Sequence, residues 1–265
     1  MKRIRILLYN QVGHYPLEAM EDGVHPESLT EQLDYLVSQD FRIVSLDQAL
    51  SYMEGKEDLP EKSIVITIDG GYADAYSQAL PILEQYNIKA TFFIAPRLIG
   101  KSRLIKGHAL PCMTWDQVRS LMDKGMGIGH YGCDGKAFKK VPKEAAEEDI
   151  EGSKPLFEKF LNTQPPYYGV FEGTPEPDTV ELLKKHGYRA MFTKCPTKQR
   201  LSHFSISRIQ SDDDDFNIFL VKTSKSYLQF KDSRYWKQIR KYHLAKAFHR
   251  LSEFYNRFAV NNRKV

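Results

Sequence analysis

No apolar run in this chain of 265 residues approaches the roughly 20 that a membrane-spanning helix needs, which excludes a helical span. Cysteine is scarce. Cys112, Cys133 and Cys195 are odd in number and none stands in a C-x-x-C spacing, which excludes a disulfide framework and a structural zinc site. Internal repeats and long low-complexity segments are absent as well. The start, Met1 to Tyr9, is basic, but its apolar stretch has only a strand's length and no small-residue cleavage site follows it. It reads as a first strand, and a reduced, cytoplasmic setting is expected, with a peripheral membrane contact as a variant of it.

What remains is an ordinary globular composition. An apolar fraction of 42% with 27% charged residues suffices for a sizeable core in one large α/β domain or two small ones. Short apolar runs alternate with amphipathic segments, the pattern of βα units around a parallel sheet. Strands are expected at Ile4–Tyr9, Arg42–Ser45, Ile64–Asp69, Ala90–Ile94, Met126–His130, Tyr167–Val170, Ala190–Thr193 and Ser205–Ile209. Helices are expected at Pro26–Gln39, Ala75–Tyr86, Thr114–Lys124, Lys143–Leu161 and Pro177–His186. Thr114 and Gln117 have the spacing of a capping box, and Gly187 after Lys184 and Lys185 reads as a helix C-cap. The barrel-like part is assigned to 1–215 and a C-terminal extension to 216–265.

Charge is unevenly distributed. Residues 222–265 hold 12 Lys and Arg against two acids, while the rest holds 26 against 32. Leu244, Ala247, Phe248, Leu251, Phe254, Tyr255 and Phe258 recur at three and four, which predicts a basic amphipathic helix. Such a helix packs on its own domain with a solvated basic face, or docks on an anionic membrane surface or a protein partner. No nucleic-acid motif accompanies the charge, and no nucleic acid is expected.

The chemistry concentrates where a β-branched run ends in a carboxylate and two glycines, Thr67-Ile68-Asp69-Gly70-Gly71-Tyr72. This segment resembles the first motif of the polysaccharide deacetylase (NodB-homology) family, whose usual text is Thr-Phe-Asp-Asp-Gly-Tyr. The likeness continues in order through Ala79–Leu83, Ala90–Phe93, Met113–Trp115 and Leu182–Tyr188, over roughly residues 5–210, and is nearest to the branch that deacetylates poly-N-acetylglucosamine. It implies a distorted (β/α) barrel of seven or eight strands, and an acetylated amino-sugar glycan or its precursor as partner.

By the same resemblance Asp69 is the general base, and a divalent metal (zinc, cobalt or nickel) is held by one Asp and two His. Position 70, where the family has its metal-binding Asp, is Gly. Anchoring Gly129 to the family's Gly-Ser-His puts Tyr131 and Gly135 at the two His positions. A one-residue shift instead makes His130 and Asp134 a rebuilt ligand pair beside Asp69. Within Gln164-Pro-Pro-Tyr-Tyr168-Gly169 the resemblance finds the family's Pro-Tyr-Gly turn with one Tyr extra, whose Tyr167 or Tyr168 backbone amide would serve the oxyanion, and Gln164 stands near the family's usual Arg. Asn10 replaces a His, and His203 is the nearest counterpart of the late proton donor. Asn10, Tyr72, Tyr131, Tyr167 and Tyr168 would line a polar, aromatic cleft suited to sugar rings. Three readings follow: a glycan deacetylase relative of weak, altered or lost amide-hydrolase activity, a non-catalytic glycan- or partner-binding protein, and a metal-independent amide or imide hydrolase.

Overall fold

The computed structural model describes residues 2–15, 23–194, 202–211, 216–224 and 227. They fall into two units, 1–212 and 213–265. In the second unit a helix spans Phe216–Thr223, while the predicted amphipathic helix around Leu244–Phe258 lies outside the described residues. Among the described residues no helix is long and apolar enough to cross a membrane.

The first unit is built on parallel strands β1 (Arg5–Tyr9), β3 (Ser63–Asp69), β4 (Thr91–Ile94), β7 (Gly127–Tyr131), β9 (Tyr167–Val170) and β11 (Ala190–Thr193), with the short β2 (Arg42–Ile43) beside β3. The order runs β12-β11-β9-β7-β4-β3-β1-β13, and its two ends are halves of one segment, β12 (Ile206–Ser207) and β13 (Ile209–Gln210). Phe192 and Thr193 pair with Ile206 and Ser207, and Leu7 and Leu8 pair with Ile209 and Gln210. The Arg208 amide donates to the Thr193 carbonyl at 2.8 Å, and the Ser211 amide to Leu8 at 2.8 Å. One bent strand thus closes the sheet into a (β/α) barrel and leaves Arg208 at the bend.

The helices follow their sequence signals. α1 (Pro26–Ser38) buries Leu29, Leu33 and Leu36. The segment Ala75–Gln85 begins with a wide turn over Ala75–Ala79 and ends as α3 (Leu80–Gln85). The box predicted for α4 (Trp115–Asp123) forms: the Gln117 amide donates to Thr114 Oγ1 at 3.3 Å and the Thr114 amide to Gln117 Oε1 at 2.8 Å. α5 (Lys143–Leu161) and α6 (Pro177–Lys185) cover β7 and β9 on the outside. Gly187 sits at φ +85° just past α6, a conformation in which glycine carries no Cβ penalty.

Three elements depart from the sequence expectation. α2 (Leu46–Glu54) was not anticipated, although Ser45 and Gln48 form a second capping box, and that cap ends β2 after two residues. A hairpin of β5 (Ser102–Ile105) and β6 (His108–Pro111) extends the loop after β4. A small parallel pair, β8 (Ala137–Val141) with β10 (Glu172–Pro175), extends the loops after β7 and β9. All four strands are short, and β5, β6 and β8 are largely solvated, so they carry little hydrophobic alternation.

Inside the barrel, close packing fixes two glycines. A Cβ on Gly129 would lie 2.5 Å from the Phe93 ring, and one on Gly169 would lie 2.6 Å from it. Phe93 therefore fills the centre because β7 and β9 present hydrogen atoms where other residues carry side chains.

Candidate active site at the carboxyl end of the barrel

β3 delivers Asp69 to the carboxyl end of the barrel, where this architecture places its chemistry. The carboxylate is fully buried and paired in fork geometry: Arg208 Nη1 donates to Oδ1 at 2.6 Å and Nη2 to Oδ2 at 2.6 Å. The same guanidinium lies 4.9 Å from the Phe93 ring centroid. Burial raises the Asp69 pKa above its ordinary value, and the charge and hydrogen bonds of Arg208 oppose that rise. Arg208 therefore fixes the orientation of the Asp69 carboxylate. Gln164 turns to α5 instead, with Nε2 donating to the Lys154 carbonyl at 2.9 Å.

Around this pair the loops close the barrel mouth. Gly70 and Gly71 take φ of +94° and +68°, so the chain turns sharply after Asp69 and carries the Tyr72 ring back over Gly70. A Cβ on Gly70 would meet that ring at 2.4 Å. The Met113 amide donates to the Gly71 carbonyl at 2.9 Å, and Tyr72 bridges to Cys112, which anchors the foot of the β5–β6 hairpin to this turn. From β5, Arg103 reaches across the mouth. Its guanidinium lies 5.6 Å from both the Tyr72 and the Tyr131 ring centroids, and Nη2 donates to the Asp134 carbonyl at 2.9 Å. Asn10 is buried just beyond the end of β1. Asp74 accepts the Val12 amide at 3.1 Å.

The residues singled out in the sequence separate into three places. Asp69, Tyr72 and Tyr131 come together at the mouth, beside Asn10. Tyr131 and His130 are successive residues of β7 and point to opposite faces. His130 faces the helical layer, where Nδ1 lies 2.6 Å from the Tyr188 hydroxyl and Nε2 3.1 Å from Asp149 Oδ2. Tyr168 is in the same layer and donates to Asp149 Oδ2 at 2.9 Å. Asp134 pairs with Arg97 at 2.9 Å. Tyr167 opens β9 at the amino-terminal end of the barrel, where it lines a cleft of about 330 Å³ with Asp47, Thr91 and Gly127. Tyr167 and Tyr168 are strand residues, paired in register with Ala190 and Met191, so they do not form a turn at the mouth. His203 Nε2 lies 3.5 Å from Glu54 at the end of α2.

The donor set does not fit a metal held in the family's manner. Position 70 has no side chain, and its Cβ space is filled by the Tyr72 ring. With Gly129 packed on Phe93 inside the barrel, the position facing Asp69 is Tyr131, which supplies a phenol instead of an imidazole. A Cβ on Gly135 would lie 2.7 Å from Arg103 Nη1. The shifted set of Asp69, His130 and Asp134 is not assembled: among the described residues no three His, Cys, Asp or Glu side chains gather as a metal site.

Two functional groups, Arg103 and Arg208, were missed in the sequence. Arg208 lies inside the expected strand Ser205–Ile209, and a charged residue within a β-branched run that must face a barrel interior was a readable signal. Arg103 lies in the unanticipated hairpin and left no signal.

Comparison with known proteins agrees with this fold. Residues 56–191 match the family model described as polysaccharide deacetylase. YxkH of Bacillus subtilis, named for the same family, is 29% identical over 136 residues, a match spanning 51% of this chain and 46% of that protein. The poly-beta-1,6-N-acetyl-D-glucosamine N-deacetylase of Staphylococcus epidermidis is 24% identical over 210 residues, 75% of this chain and 71% of that one. Among solved structures, IcaB from Ammonifex degensii superposes with a TM-score of 0.70 at 21% identity, covering 83% of this chain and 97% of its own. A de-N-acetylase from Aggregatibacter actinomycetemcomitans superposes at 0.65 and 19% identity, covering 82% and 100%. The chain belongs to the polysaccharide deacetylase family.

Proposed function

We propose that this protein acts in a bacterial glycan pathway, engages acetylated amino-sugar glycan at the barrel mouth, and does not carry out metal-dependent N-deacetylation. The observation that carries the reading is the coordinated filling of the ligand positions: Tyr72 over Gly70, Tyr131 in place of an imidazole, and Arg103 against Gly135. The substrate class comes from the relatives, two of which are named for deacetylation of acetylated glucosamine polymer or for de-N-acetylation. Tyr72 and Tyr131 are buried with their rings against Arg103, so a sugar at the mouth would meet this aromatic pair through that guanidinium. The reading as a metal-free amide hydrolase is disfavoured by Asp69 itself. Asp69 is fully buried and each of its oxygens accepts one hydrogen bond from Arg208, so in this arrangement it is not open to a solvent water that it could activate.

The test is to load the purified protein with zinc, cobalt or nickel, desalt it, and measure retained metal, acetate release and binding of β-1,6-linked N-acetylglucosamine oligomers. The expected result is less than a tenth of an equivalent of metal, no metal-stimulated acetate release, and saturable oligomer binding. Metal-stimulated acetate release that disappears in Asp69→Asn would overturn it.

A further inference from the structure

We propose that the guanidinium of Arg103 stands where the family's metal cation would, and makes the barrel mouth a metal-free site for a carboxylate-bearing sugar. This rests on the glycan reading above and names the class of sugar. The three positions to which the family resemblance assigns metal ligands, 70, 131 and 135, converge on this one side chain. The Tyr72 ring that fills the space at Gly70 lies 5.6 Å from the guanidinium, as does the Tyr131 ring, and a Cβ at Gly135 would lie 2.7 Å from Nη1.

Among the described residues Arg103 has no ion pair of its own, although its charge acts on the buried Asp69 carboxylate. Asp134 gives it a backbone carbonyl at 2.9 Å, while the Asp134 carboxylate accepts from Arg97 at 2.9 Å. Asp69 is held on both oxygens by Arg208. Among the described residues no carboxylate lies within ion-pair distance of Arg103; its neighbours are two phenols and the Cys112 thiol. Burial is the largest cause raising the pKa of all three, which keeps them neutral at ordinary pH. With Arg208 already paired to Asp69, on which the half-buried Arg103 also acts electrostatically, the two guanidiniums leave the mouth with one positive charge in excess. The planar guanidinium fork matches a planar carboxylate in two parallel hydrogen bonds, and the buried Tyr72 and Tyr131 rings hold that fork in place.

The experiment is calorimetric titration of the full-length protein at low salt with sodium glucuronate, N-acetylglucosamine, inorganic phosphate and the β-1,6-linked oligomer. The variants are Arg103→Gln, Arg103→Lys and, as a control on the same hairpin, Lys106→Gln, each first checked for folding by circular dichroism. Glucuronate is expected to bind with 1:1 stoichiometry, about tenfold or more tighter than N-acetylglucosamine and tighter than phosphate, and to weaken as salt rises. Arg103→Gln should lose about tenfold or more, Arg103→Lys should recover part of it as a point charge, and Lys106→Gln should match the wild type. Glucuronate binding undiminished in Arg103→Gln, or phosphate binding as tight as glucuronate, would overturn the proposal. If the neutral oligomer binds and glucuronate has no advantage over N-acetylglucosamine, the carboxylate site fails alone. If neither binds, the glycan reading fails with it.

Discussion

Asp74 gives the sharpest quantitative expectation. It follows the turn after β3, is 6% exposed, and accepts the Val12 amide at 3.1 Å. Burial pushes its carboxyl up from 3.8 to about 6, against hydrogen bonds from the Tyr15 hydroxyl and the Val12 and Ala75 amides. The folded form therefore keeps its proton across a window in which the unfolded chain has already released it. The stability tied to this proton is present in full below about pH 3.8 and is lost as pH rises through about 6. A difference of about two units corresponds to roughly 3 kcal/mol. Asp74→Asn removes the ionisation and keeps an acceptor for the Val12 amide, at the loss of about 1 kcal/mol from weaker, uncharged hydrogen bonds. The variant should be about 2 kcal/mol more stable than wild type at pH 8, a rise in Tm of about 4–8 °C, and should match it near pH 4. Thermal unfolding by circular dichroism from pH 4 to 8 measures both. A variant that melts below wild type at pH 8, or a difference that does not change with pH, would refute the reasoning.

Other sites give further expectations. Gly70→Ala should destabilise by about 2–4 kcal/mol in urea unfolding, from positive φ and the clash with Tyr72, and adding Tyr72→Ala should relieve the clash but leave the φ cost of about 1–2 kcal/mol. Arg208→Met should cost about 3–5 kcal/mol by stranding the Asp69 carboxylate, whereas Asp69→Asn with Arg208→Met should recover much of it; equal losses in both would mean that the pair is not the source. Asp149 is held below the ordinary carboxylate range. Burial alone would raise it, but the His130 charge and the hydrogen bonds from His130, Tyr168 and the Cys133 amide outweigh burial. Its contribution is present above about pH 3.9 and is lost as pH falls through its lower folded value. Asp149→Asn should therefore be about 2–4 kcal/mol less stable at pH 7, with a gap that narrows toward pH 3.

Buried strands were legible because both local signals pointed the same way. Tyr167–Val170 and Ala190–Thr193 match their expected bounds, and Lys143–Leu161 does so as a helix. α2 shows a signal present and passed over, since Ser45 and Gln48 carry the same capping chemistry as Thr114 and Gln117. The β5–β6 and β8–β10 pairs could not be read, because solvated strands owe their pairing to the loops that bring them together. In the site, Asp69 was legible from its place at the end of a β-branched run. The facing of His130 was not, because a one-residue shift in alignment exchanges the two faces of β7. The packing of Gly129 on Phe93 decides it: with Gly129 turned inward, Tyr131 joins it and His130 turns out to Asp149.

That same alternation links the departures from the family's text. Lacking a side chain at 70, the turn leaves room for the Tyr72 ring, and lacking one at 135 it leaves room for Arg103. Tyr131 then supplies the second aromatic face against that guanidinium. Lacking an Arg near 164, Asp69 still has both oxygens satisfied, because Arg208 arrives from the strand that closes the barrel. A vacated ligand site with nothing in exchange would leave a buried carboxylate unpaired and a void beside it, each costing kilocalories. At Asp69 the carboxylate is paired, and the Cβ space of Gly70 is occupied by the Tyr72 ring. Gly70, Tyr72, Arg103, Tyr131 and Gly135 fit one another in volume, and Asp69 and Arg208 in charge, so changing one of them alone should destabilise the fold without building a metal site. The loss in Gly70→Ala and the recovery in the Asp69–Arg208 double variant measure those two couplings separately.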